Sequence, residues 1–232
     1  MSPKTDFLNL SGYALAQSLL TRLYTVSPYE DFDYQAIPLN LQGWGSTDLI
    51  FDKLISTVQP RLILEVGTWK GASAIHMASL LKEKGIDTAI VCIDTWLGGL
   101  EHLIHKEDPE LGLSNLRKHG YPTLYYQFLA NVMHQGFQDR IVPFPSTSNI
   151  AAKWFEHYQI KADLIYIDSS HDQHDVYQDL KNYWQLLTHG GIMFGDDWSE
   201  PWRGVIAAVS EFAKVQQLDV KVDGQKWFFR KV

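Results

Sequence analysis

A chain of 232 residues is long enough to bury one substantial core and too short for two full-sized domains. Hydrophobic residues at 45% and charged residues at 20% are ordinary globular usage, which excludes a disordered chain. Twenty Lys and Arg against 27 Asp and Glu give a formal net charge of −7 with no basic run, which argues against a nucleic-acid partner and for a small or neutral substrate.

No charged-then-apolar leader opens the chain, and no apolar stretch approaches the ~18 residues of a membrane span, so no membrane partner is expected and the cytoplasm is the default location. Residues 1–50 carry Tyr13, Tyr24, Tyr29, Phe32, Tyr34 and Trp44 among mixed turn signals and read as an N-terminal helical cap segment; residues 51–232 read as one domain. Short β-branched runs then alternate with stretches of helical period, the signature of βαβ units around a mostly parallel sheet. The runs are Arg61–Val66, Thr88–Asp94, Arg140–Phe144, Ala162–Asp168 and Gly191–Gly195, with helices predicted at 71–84, 147–158, 172–187 and 202–215. Each run is nearly continuously apolar, as expected of strands covered on both faces. The one cysteine, Cys92, lies inside such a run and reads as a buried strand thiol that can form no intrachain disulfide. At the tail, Leu218–Val222 and Gln225–Arg230 flank Asp223-Gly224, a turn dipeptide, so the sheet closes in an antiparallel hairpin, making seven strands of an α/β, Rossmann-like, doubly wound fold.

The first strand runs into Glu65-Val66-Gly67-Thr68-Trp69-Lys70-Gly71-Ala72-Ser73 before a predicted helix, where a backbone must turn sharply and approach a ligand. The second strand ends in Asp94, whose carboxylate can accept hydrogen bonds from both ribose hydroxyls of an adenosine. Glu65 faces the other end of such a cofactor and suits an ammonium. Gly67 and Gly71 can also simply make a tight turn, and Asp94 can cap the next segment. Trp69 stands where a dinucleotide turn has its second glycine, which disfavours a pyrophosphate and admits a phosphate-free cofactor such as S-adenosylmethionine.

The fourth and fifth strands end in Ile167-Asp168-Ser169-Ser170-His171 and Gly195-Asp196-Asp197-Trp198, and the carboxyl ends of parallel strands line one crevice. Three converging carboxylates would repel one another unless a cation neutralised them, and oxygen ligands suit Mg²⁺ or Mn²⁺. Such an ion would acidify and orient a substrate hydroxyl, with His171 as general base. Against this, Asp168 can cap the following helix, as can Asp172, and His171 can lie in its exposed first turn. His174 reads as a helix-face residue and His189 as a helix C-terminal residue.

At these residues the sequence resembles class I S-adenosylmethionine-dependent methyltransferases, in particular the macrocin- and mycinamicin-type sugar O-methyltransferases and their cephalosporin-hydroxylase-like and rhamnosyl O-methyltransferase relatives. The resemblance runs from about Leu49 to Trp198 and rests on Glu65–Ser73, Asp94, Tyr166–His171 and the segment from Asp179 through Gly190-Gly191-Ile192 into Gly195–Trp198. It implies metal ligation by Asp168, Asp196 and Asp197, His171 as base, and cofactor binding by Glu65, Gly67, Ser73 and Asp94, to which the turn adds Thr68 and Gly71 and the crevice Asp168. The family often has Glu-Asp where this chain has Asp196-Asp197, which keeps the charge and shortens one arm. Ser146, after the third strand, lies where an adenine edge is met in this fold, whereas Ser148 can cap a helix. Residues 96–139 hold Trp96, His102, His105, His119, Tyr121, Tyr125 and Tyr126, enough to shape a substrate lid or to pack among themselves. The expected reaction is methyl transfer to a hydroxyl of a small molecule, a sugar or natural product, with a homo-oligomer left open. Two alternatives stand beside it: a non-haem iron oxygenase using His171 and His174 with Asp168 or Asp196, and an adenosyl-binding module without chemistry.

Overall fold

Successive residues of a strand point to opposite faces of its sheet, and here both faces are covered, which is why the strands read as unbroken apolar runs. The computed structural model describes residues 7–105, 107–108, 112–113 and 116–232. Its elements follow as α1 (Gly12–Leu23), α2 (Leu49–Val58), β1 (Leu62–Val66), α3 (Ala72–Glu83), β2 (Ala89–Asp94), α4 (Leu100–Ile104), β3 (Arg117–Lys118), β4 (Tyr121–Pro122), α5 (Leu124–His134), β5 (Ile141–Pro145), α6 (Ser148–His157), β6 (Ala162–Ile167), α7 (Gln173–Trp184), β7 (Leu187–Gly195), α8 (Arg203–Gln216), β8 (Lys221–Asp223) and β9 (Lys226–Arg230). Seven strands form one sheet in the order β5-β2-β1-β6-β7-β9-β8. The pairs from β5 through β7 are parallel, and β9 runs antiparallel to both β7 and β8. The expected α/β, doubly wound sheet with its closing hairpin is therefore present.

Parity sorts the core into two layers. Leu62, Leu64 and Val66 of β1 join Val91 and Ile93 of β2 against Leu15 and Leu19 of α1, Phe155 of α6, Leu180 of α7 and Phe212 of α8. Ile63, Ile90 and Cys92 face the other way, onto Phe51 of α2, Ile75 of α3 and Phe128 of α5. At about 1.5–3 kcal/mol per fully buried large aliphatic or aromatic side chain, these layers hold the strand ends in fixed positions. Glu65 shares the parity of Ile63 and is registered with Cys92, so its carboxyl is placed inside the second layer.

Helix α1 is part of the core, α2 already begins at Leu49, and the stretch between them is largely a strap across α5. Asn131 of α5 ties that strap down, accepting from the Asn40 N–H at 2.9 Å and donating to the Asn40 carbonyl at 2.6 Å. Residues 96–139 form α4, the β3-β4 hairpin and α5, none of them separately expected; Lys106, Pro109, Glu110, Leu111, Ser114 and Asn115 lie outside the described residues. Among the described residues no helix is long and apolar enough to cross a membrane.

Candidate active site

The neighbours of β1 are β2 on one side and β6 on the other, so the connections diverge there and open a crevice at the strands' carboxyl ends. A cavity of about 980 Å³ fills it, walled at one end by Gly67, Thr68, Ser73, Asp94 and Ser146 and at the other by Asp168, His171, Asp196 and Asp197. Pockets for small ligands span roughly 300–1,000 Å³, and this one lies at the upper end of that range. Glu65 and Gly71 stand behind the wall. Gly67, at φ 84°, passes the end of β6 so closely that a side chain would collide with the Asp168 carbonyl, and only glycine takes that backbone without strain.

The buried Glu65 carboxyl is bonded by the Ser73 hydroxyl, by the Thr68 hydroxyl at 3.4 Å and by the Cys92 thiol at 3.3 Å. Burial outweighs those bonds and raises its pKa to about 8. Asp94 is fixed by three backbone donors: Oδ2 accepts from the Thr68 and Trp69 N–H groups at 2.9 and 3.0 Å, and Oδ1 from the Trp96 N–H at 2.7 Å. A carboxylate offers about four acceptor positions, so one remains for an incoming hydroxyl. Trp69, at φ 52°, fills the turn and stacks on His102 with ring centroids 4.4 Å apart.

At the acidic end the Tyr166 hydroxyl bridges Asp168 and Asp196, at 3.0 and 3.4 Å. Asp196 is paired with Lys226, whose side chain is fully buried. Asp197, at φ 67°, reaches His171 Nε2 at 3.0 Å, while His171 Nδ1 is 2.5 Å from Glu101 on α4. The imidazole stacks on Trp202 with centroids 3.6 Å apart. Burial opposes charge on His171, but its bonds to Asp197 and Glu101 prevail and lift its pKa to about 9, so at neutral pH it is an imidazolium donating from both nitrogens. Asp168 is raised to about 7, first by burial and then by the negative charges of Asp196 and Asp197. Asp172, not Asp168, caps α7, accepting from the His174 N–H at 2.8 Å, and Thr147 rather than Ser148 caps α6.

Asp168, Asp196 and Asp197, expected to ligate Mg²⁺ or Mn²⁺, all line the same end of the cavity. Among the described residues no group of three His, Cys, Asp or Glu side chains is arranged to hold a metal ion. Lys226 lies against Asp196 and His171 against Asp197, while Asp168 is met by the Tyr166 hydroxyl.

Reading the sequence missed Lys226, Tyr166, Glu101 and Trp202. Lys226 carried no local signal: it shares its parity with Phe228 and Arg230, while Trp227 and Phe229 form the apolar, fully buried set of the strand. Of the aromatic and imidazole groups in 96–139, His102 and His105 line the cavity. Trp96 is instead packed between Tyr125 and Phe128, with centroids 4.9 and 4.8 Å away, while His119 and Tyr121 are exposed. The part lying over the cavity is α4, latched by the contact between Glu101 and His171.

These shifts set a pH dependence. Glu65 and Asp168 keep protons above their ordinary range, up to about 8 and 7, so their contribution is lost as pH rises toward those values. His171 contributes fully below its ordinary 6.5, and that contribution is lost as pH rises through about 9. Scanning calorimetry of the unliganded chain should therefore show Tm lower at pH 9 than at pH 6 by roughly 5–10 °C; a flat or rising Tm would contradict these charge states.

A model of the methyltransferase-domain family matches residues 64–198, from within β1 to just beyond β7. A search of curated proteins gives no match. Among solved structures, the calicheamicin methyltransferase CalS11 is 21% identical with a TM-score of 0.59, over 93% of this chain and 91% of its own. The O-methyltransferase NovP is 16% identical with a TM-score of 0.57, over 79% and 78%. An O-methyltransferase from Bacillus cereus, in complex with SAH, is 14% identical with a TM-score of 0.56, over 97% and 100%. At such identities the structural likeness speaks for the fold. The family match spans more than half of the chain and takes in every wall residue from Gly67 to Asp197, so the chain belongs to the methyltransferase-domain family.

Proposed function

We propose that the chain transfers a methyl group from S-adenosylmethionine to a hydroxyl oxygen of a small molecule. The observation that carries this reading is Asp94, locked by three N–H donors at the cavity edge beside the Gly67 turn, where it can receive ribose hydroxyls. S-adenosylmethionine, when bound, supplies an electrophilic methyl group on a sulfonium. The family match supports that donor, and the printed names of NovP and the Bacillus cereus protein as O-methyltransferases favour oxygen as the acceptor atom. A sugar or similar natural product is favoured by the structure described as CalS11, TDP-rhamnose 3'-O-methyltransferase, and a small acceptor suits the net charge of −7.

The chain's own residues then have separable tasks. Thr68, Ser73 and Ser146 offer polar contacts along the cofactor end of the cavity. His102, His105 and Trp202 line the remainder and supply flat surfaces for a ring-shaped acceptor. His171 is the proposed base: with its Nε2 proton lost to solvent and that nitrogen turned from Asp197 to the acceptor, the neutral ring, still held through Nδ1 by Glu101, takes the proton of the acceptor hydroxyl. Positioning two reactants in one cavity accounts for much of the acceleration such transfers need.

Isothermal calorimetry with S-adenosylhomocysteine tests the cofactor assignment. One molecule should bind per chain, and Asp94→Ala should weaken binding by roughly 1–3 kcal/mol. Unchanged affinity in that variant, or preference for NAD, would overturn it.

A further inference from the structure

We infer that Lys226 takes the place of a divalent cation in this site, so that its acidic end is neutralised from within the chain and binds neither Mg²⁺ nor Mn²⁺. The lysine is seated rather than adventitious. Residue 226 lies on the hairpin two positions before Phe228, which is registered with Phe194, and Phe194 in turn with Tyr166. Strand parity therefore aims its side chain along that face, toward Asp196. The ammonium meets the Asp196 carboxylate, lies 3.2 Å from the Tyr166 hydroxyl and 3.8 Å from Asp48, and rests over the rings of Phe51 and Tyr166 at 5.6 and 5.4 Å. Fully buried lysines are rare unless paired, and this one has a carboxylate, a hydroxyl and two aromatic faces.

The surroundings leave an ion few donors: one oxygen of Asp168 takes the Tyr166 hydroxyl, which leaves the other as the one open carboxylate oxygen of that residue. Asp196 Oδ2 is taken by Lys226, and its Oδ1 accepts the Asp197 N–H at 2.8 Å. Asp197 Oδ2 faces His171. The N-terminal strap closes over the pair: a Cβ built at Gly45 would lie 2.8 Å from the Lys226 ammonium and 3.0 Å from Asp196 Oδ2. Mg²⁺ demands near-octahedral oxygen ligation and usually keeps several waters, which this packed corner does not admit. A divalent ion would also sit within a few ångströms of a fixed positive charge. The inference concerns the same cavity as the proposed reaction, but its test needs neither cofactor nor acceptor.

That test is a Mn²⁺ titration followed by electron paramagnetic resonance, on the full chain and on Lys226→Met, with circular dichroism to confirm folding. The wild-type chain should take up no stoichiometric Mn²⁺ at free concentrations up to about 1 mM. Lys226→Met should gain one site at least roughly tenfold tighter, which Asp196→Asn in the same background removes. One Mn²⁺ bound by the wild-type chain and lost in Asp196→Asn would overturn the inference, as would a folded Lys226→Met that gains no site. Should Lys226→Met fail to fold, wild-type affinity for S-adenosylhomocysteine decides. Equal values within about twofold in EDTA and in millimolar Mg²⁺ support the inference, and tightening of more than about tenfold in Mg²⁺ overturns it. Absence of any S-adenosylhomocysteine binding would count against the cofactor reading alone, leaving the Mn²⁺ titration to decide on Lys226.

Discussion

His171→Ala should lower the maximal rate of methyl transfer by roughly 10²–10⁴-fold, the contribution of a positioned base, while leaving S-adenosylhomocysteine affinity nearly unchanged. The pH profile separates this from a structural loss. With a pKa of about 9, only a small fraction of His171 is free to accept a proton at neutral pH, so the wild-type rate should climb with pH and level off near 9. Glu101 lies 2.5 Å from Nδ1 and is one of the two groups that raise that value. Glu101→Gln should therefore move the limb toward the ordinary histidine value of 6.5 and raise the rate at neutral pH, provided the latch on α4 still closes. A near-normal rate in His171→Ala, or a limb that ignores Glu101→Gln, would remove His171 from proton transfer and leave it as a link between α4 and Asp197.

Asp196→Ala should be the most destabilising change in the cavity, because it strands the fully buried Lys226 without its carboxylate. Removing one partner of a buried pair costs about 3–5 kcal/mol, which for a chain of this length is roughly a 10–15 °C fall in Tm. The double variant Asp196→Ala with Lys226→Met should recover much of the loss, since no uncompensated charge stays buried. Urea unfolding of the four chains in a double-mutant cycle measures this directly; a loss below about 1 kcal/mol in the single variant would mean that the pair is not formed in solution.

The contrast between what the sequence revealed and what it hid has a physical basis. The five parallel strands were legible because both faces of each are covered, which leaves an uninterrupted apolar run, and Asp223-Gly224 marked the hairpin through its turn preference. The Gly67 turn and Asp94 were legible as crevice residues because they lie at the junction of β1 with α3 and at the tip of β2, places that local sequence identifies. Asp168, Asp196 and Asp197 were likewise found from their position at strand ends. Their partners were not, because Lys226 and Glu101 come from β9 and α4, far along the chain, and which carboxylate each one meets is decided by sheet order and side-chain packing. Converging negative charges called for a cation, and at Asp196 the chain sets Lys226, which the alternation of its own strand gives no sign of. The strap was hidden for a similar reason, since its attachment runs through the Asn40 and Asn131 pair and leaves no periodic trace.

The central claim, that the cavity beside β1 and β2 binds the adenosyl cofactor with its reactive end toward Asp168 and His171, is tested most directly by a crystal structure of the chain soaked with S-adenosylhomocysteine. The account predicts ribose hydroxyls on the Asp94 carboxylate, the adenine near Ser146, and the sulfur facing the space between Asp168 and His171. A ligand whose ribose lies away from Asp94, or whose sulfur points out of the cavity, would contradict it.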